Sequence, residues 1–110
     1  MVRKTVVFLL FFVAMNCIAG IAHALPLEGG ELYGFLAGET DGKNYSNAVY
    51  YIRGVADALQ GVEIDIPQAV TTTQIVQTVF AHLRGDTQAR NLLASAVVHD
   101  ALKKAYPLKK

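Results

Sequence analysis

From Thr5 to Ile21 the chain carries no charged side chain, and this stretch decides how much of the 110 residues is left to fold. It contains Val6-Val7-Phe8-Leu9-Leu10-Phe11-Phe12-Val13, follows Arg3 and Lys4, and leads into Ala22-His23-Ala24. A positive start, an apolar centre and a small-x-small site, in that order, read as a cleaved secretory signal. The competing reading is a retained transmembrane anchor, because the apolar run is close to the lower limit of about 17 residues for a span. The Ala-His-Ala site favours cleavage. Residues 1–24 are therefore expected to direct export out of the cytoplasm. Residues 25–110 remain as one domain of about 86 residues, with no membrane contact after cleavage.

Cys17, the only cysteine, falls inside that leading segment, and Asn16 before it does not fit a lipoprotein site. Small exported domains usually rely on disulfides, and a chain cleaved after Ala24 has none to form. Its stability must come from packing or from a partner, and a domain of this size buries only somewhat over 60% of its unfolded surface. Removing Arg3 and Lys4 from the ten Lys/Arg leaves eight against nine Asp/Glu, so the precursor's net +1 becomes −1. There is no basic stripe and no interleaving of aromatics with Arg or Lys, so nucleic acid is not an expected partner.

The periodicity predicts an all-α fold, a small bundle of about four helices. Leu32, Tyr33, Phe35 and Leu36 support a short helix over 31–37, and the Gly-, Asp- and Asn-rich residues 38–44 predict a turn. Val49, Ile52, Val55, Ala56 and Leu59 fall on one face of a helix over 46–60, with Gly61 as its stop. Gly54, inside that helix, is disfavoured by about 1 kcal/mol against alanine, and a close helix crossing would explain it. Residues 62–70 predict a loop, since Pro67 keeps Ile66 out of helical geometry, with Ile64, Ile66 and Val70 pinning it to the core. Thr71 and Gln74 have capping-box spacing ahead of a helix over 72–83 that buries Ile75, Val76, Val79, Phe80 and Leu83. A last helix is predicted over 87–105, with Asp86 at its positive end and Lys103 and Lys104 at its negative end. Its apolar residues Leu92, Leu93, Ala96, Val97, Val98, Ala101 and Leu102 surround most of the helix, which marks it as central.

No nucleophile stands near a base, and His82 and His99 lack the spacing of metal ligands. Neither catalysis, metal nor cofactor is expected. Glu63 and Asp65 could act as paired carboxylates, but such a pair in a loop is more often solvated. Arg53 and Asp57 have the i, i+4 spacing of a weak surface bridge. Tyr45, Tyr50 and Tyr51 suit half-buried packing, with contact to a partner as the alternative. The polar side of the third helix, Thr72, Thr73, Gln74, Gln77 and Thr78, holds no formal charge. Protein interfaces are depleted in charge, so this face is a candidate contact surface; a neutral solvated face is the other reading.

Four segments together resemble one family. Tyr51-Ile52-Arg53-Gly54-Val55-Ala56-Asp57-Ala58 is similar to the YIxGvxDa segment of the Rap/Tai-type immunity proteins. Ile66-Pro67-Gln68-Ala69-Val70-Thr71 with Gln74 resembles that family's iPxgVTxxQ. Phe80-Ala81-His82-Leu83 is loosely like its "yL" helix end, and Ala101-Leu102-Lys103-Lys104-Ala105-Tyr106-Pro107 resembles ALxxAFP. The segments run from about Gly30 to Pro107 in the family's order. The chain departs from the family where cysteines usually stand: those positions are Ala48, Asp65 and Leu108. The resemblance implies an all-helical periplasmic protein, often a homodimer, that plugs the active-site groove of a peptidoglycan amidase toxin delivered by type VI secretion. The family motifs are largely framework. Surface character instead nominates Glu63, Asp65, Gln68, Gln74 and Gln77 for partner contact. A periplasmic chaperone or stress protein, or an exported binding domain, is the alternative function.

Overall fold

The computed structural model describes residues 26–38 and 42–109, so the predicted signal segment and its cleavage site lie outside the described residues. Among the described residues there are four α-helices: α1 (Gly29–Ala37), α2 (Lys43–Leu59), α3 (Thr72–Gly85) and α4 (Ala94–Ala105). A 3-10 helix, Thr87–Asn91, lies between α3 and α4. The all-α fold expected from the periodicity is the fold observed. Each helix turns one stripe inward. Leu32 and Leu36 come from α1, and Ala48, Ile52 and Ala56 from α2. Ile75, Val76, Val79 and Leu83 come from α3, and Ala94, Val97, Val98, Ala101 and Leu102 from α4. These join Ile64 and Ala89 in one core with no buried polar or charged residue among those described. Non-directional apolar burial is therefore the main force holding it.

α2 begins at Lys43, three residues earlier than the apolar stripe suggests, and ends where Gly61 takes a φ of +79°. That left-handed value costs glycine little. Gly54 has no close crossing. Among the described residues nothing comes within 4 Å of the place its Cβ would occupy, so the packing reason expected for it does not hold. The cap of α3 is as predicted. Thr71 Oγ1 accepts from Gln74 N–H at 3.2 Å, and Gln74 Oε1 accepts from Thr71 N–H at 2.8 Å.

The last predicted helix is the main difference. Residues 87–105 are not one helix but a 3-10 turn, an extended break at Leu92 and Leu93, and α4. Asp86 caps the 3-10 turn, accepting from Gln88 N–H at 3.0 Å, and so does not sit at the start of α4. The break has a tertiary cause. Leu27–Gly29 runs antiparallel to Leu92–Ala94: Gly29 N–H donates to Leu92 O at 2.7 Å, and Ala94 N–H to Leu27 O at 2.8 Å. The first N–H groups of a helix have no partner within the helix, and this exchange serves one such donor of α1 and one of α4. Gly29 is buried against the 3-10 turn, and a Cβ there would run into the Ala89 carbonyl oxygen. Leu92 and Leu93 consequently face outward, at 54% and 49% exposure. The buried face of α4 still makes it a central element, as expected.

Candidate functional site

The segment from Gln60 to Thr71 is a loop with a fixed backbone. The Leu59 carbonyl at the end of α2 accepts from the N–H groups of Val62, Glu63 and Ile64 at 3.0, 2.9 and 3.2 Å. Ile64 is fully buried, and it pairs antiparallel with Pro107 just beyond α4. Asp65 N–H donates to Tyr106 O at 3.0 Å. The Gln60 side chain then holds Ile66 from both sides, accepting from its N–H at 2.9 Å and donating to its carbonyl at 3.2 Å. Ile66 and Val70 pack on the core, so the three apolar residues expected to pin the loop all do so. Val70 N–H closes a turn onto Pro67 O at 3.0 Å, leaving Gln68 and Ala69 exposed at its tip.

Between this turn, the second half of α2 and the start of α3 lies an open groove. Ala56, Ile66, Val70 and Ile75 line it, together with Arg53, Asp57, Gln60 and Gln68. Arg53 bridges two of its walls. Its Nε lies 3.2 Å from Asp57 Oδ1, and its Nη1 donates to Thr72 Oγ1 at 3.2 Å. Both ends of the Arg53–Asp57 pair are exposed, which keeps it a weak bridge.

The five residues nominated for partner contact take up different positions. Gln68, at the turn tip, is the one that lines the groove. Glu63 is turned to α4, 3.5 Å from Lys103 Nζ and 3.7 Å from His99 Nε2. Asp65 is half-buried where the loop meets the tail. Gln74 is used in the α3 cap. Gln77 is exposed on the uncharged side of α3, where Thr78 Oγ1 is turned back onto Gln74 O at 2.9 Å. Arg53, Asp57 and Gln60 also belong to the groove. The i, i+4 spacing marks the first two as a pair in the sequence, whereas the Gln60 clamp on Ile66 depends on the loop's path.

Outside the groove, His82 Nε2 lies 3.4 Å from Asp100 Oδ2, which is also 3.2 Å from Lys104 Nζ. His82 on α3 and His99 on α4 thus each face a carboxylate. Among the described residues, no three or more His, Cys, Asp or Glu side chains gather as metal ligands would. Tyr45 and Tyr51 pack against the core as expected, whereas Tyr50 is 75% exposed.

A family model described as Rap1a immunity proteins matches residues 28–108. No curated protein matches the chain.

Proposed function

The chain belongs to the Rap1a immunity protein family, and from that premise we propose that it is the periplasmic antidote to a peptidoglycan amidase toxin delivered by type VI secretion. Membership makes it an immunity protein with a toxin as its partner. The single observation that carries the proposal is the extent of the match, which runs from the residue before α1 through the tail after α4. In this reading residues 1–24 direct export and are removed, and the folded body binds the toxin and closes its active-site groove to substrate. The mechanism is occlusion rather than chemistry.

The loop from Gln60 to Thr71 supports that mechanism physically. Binding costs free energy wherever a loop must be ordered first. Here Leu59 O, the Gln60 clamp and the Pro67–Val70 turn hold the backbone before any partner arrives. Gln68 at the tip and Gln77 on the neutral side of α3 offer amides, while Glu63, Asp65 and Gln74 are partly engaged within the fold. Uncharged polar groups of this kind are desolvated at an interface more cheaply than Lys or Glu. Homodimer formation, implied by the resemblance, belongs to the same proposal, and sedimentation of the purified protein reads it directly.

The test is co-expression of the full chain with a periplasmic amidase toxin encoded beside it. Cells carrying both should survive, and cells carrying the toxin alone should lyse. Equal lysis in the two strains overturns the proposal. Gln68→Arg, at an exposed turn tip, should leave the helical circular-dichroism signal unchanged and weaken toxin binding by about tenfold, the scale of one lost interface contact.

A further inference from the structure

At the opposite end of α3 from the Gln68 turn, four side chains form a column. The Arg84 guanidinium lies 5.3 Å from the centre of the Phe80 ring, and Phe80 stacks on Tyr33 with centroids 5.5 Å apart and planes 20° from parallel. On Tyr33 sits the Arg90 guanidinium, 3.9 Å from the ring centre. Arg90 is fixed further by its Nε–H, which donates to Leu83 O at 3.2 Å.

These two arginines have no carboxylate within ion-pair distance among the described residues, whereas Arg53 has Asp57. Among the described residues, the carboxylates on the surrounding elements take part in other contacts. Glu31 accepts from Glu28 N–H at 3.3 Å in the cap of α1, and Asp86 accepts from Gln88 N–H. Asp100 is shared between His82 and Lys104. Stacking on a ring uses the face of a guanidinium and leaves N–H groups at its edge, and that fork of donors matches a carboxylate. A stacked arginine has also lost much of its side-chain freedom already, so less is lost when a partner binds.

We propose that this column is a docking site for an acidic segment of a protein partner. Along the column the two cations stand no more than about 15 Å apart, a span that about four to five residues of extended chain cover. The partner segment therefore carries carboxylates within that span, one for each guanidinium. Tyr and Arg at the centre of such a patch are the residue types that dominate binding energy in protein interfaces. The site goes beyond the amidase reading, because its chemistry asks only for an acidic protein segment.

The probe is a synthetic ten-residue peptide with two glutamates four residues apart, titrated into the protein purified from the periplasm and followed by NMR. A control peptide carries glutamines instead. The expected result is shifts confined to Tyr33, Phe80, Arg84 and Arg90 with the glutamate peptide alone. Arg84→Gln should weaken binding at least tenfold, and Arg84→Lys should weaken it by less, since the charge remains without the planar fork. Arg84 is exposed at the end of α3, so its variants do not touch the core. Equal binding of the glutamine peptide, unchanged affinity in Arg84→Gln, or shifts centred on Lys103 and Lys104 would each overturn the proposal. Toxin protection is scored separately: a protein that protects cells but ignores the peptide loses this site and keeps the immunity function.

Discussion

Two short antiparallel contacts close this fold, and they hold by different means. Leu27–Gly29 against Leu92–Ala94 is a backbone contact: two N–H groups from the starts of two helices find carbonyls, while Leu92 and Leu93 face water. Ile64–Asp65 against Tyr106–Pro107 is anchored by a side chain, for Ile64 is fully buried and one backbone bond beside it sets the register. The first contact depends on a glycine that lets backbones approach; the second depends on a large apolar residue that fills space. The two leave different marks in the sequence. A buried isoleucine in a loop announces itself, whereas a close approach of two backbones leaves no periodic trace.

The harshest way to break the second contact is Ile64→Ala. Removing a fully buried isoleucine costs the transfer free energy of the lost groups plus a cavity, about 2–5 kcal/mol. Urea denaturation should report that loss, with faster amide exchange at Asp65 as the tail lets go. A loss below about 1 kcal/mol would show that side-chain burial is not what holds the loop. Gly29→Ala is the matching test of the first contact. The added methyl meets the Ala89 carbonyl and must push the 3-10 turn away, an overpacking cost of about 1–3 kcal/mol. Amide exchange at position 29 and at Ala94 should speed up while exchange at Asp65 stays slow. Equal acceleration at both contacts would mean that they open as one unit, and the distinction between them would fall.

The same contrast explains what could be read in advance. The helices, the Thr71–Gln74 cap, the Gly61 stop and the pinning of the loop by Ile64, Ile66 and Val70 follow from local chemistry and period. The break at Leu92 and Leu93 does not. Their spacing continues the apolar pattern of α4, and only Leu27–Gly29, more than sixty positions earlier in the chain, turns them outward. Tertiary contacts override local propensity in this way. The candidate site divides similarly. Gln68 at an exposed turn was legible from Pro67 and polarity, but the groove beside it needed the Gln60 clamp and the Arg53 bridge to Thr72. Where the resemblance puts the family's cysteines, this chain has Ala48, Asp65 and Leu108. The bond from Asp65 N–H to Tyr106 O closes the loop onto the tail without a covalent link.

The smallest effect has the opposite sign and sharpens the comparison between glycines. Gly29 is needed for what it leaves out; Gly54 is not, because open space surrounds the position of its Cβ on the exposed side of α2. Alanine there restricts the unfolded chain and favours the helix, so Gly54→Ala should stabilise the protein by about 0.5–1 kcal/mol. Thermal unfolding should record a rise of a few degrees, given that about 1 kcal/mol moves Tm by about 4–8 °C in a domain this small. A fall instead would require something packed within contact of Gly54 in solution. The exposed Tyr50, one turn earlier on α2, makes a second copy of the chain the first occupant to look for. Sedimentation of wild type and Gly54→Ala side by side would then separate a lost dimer contact from a loss of helix stability.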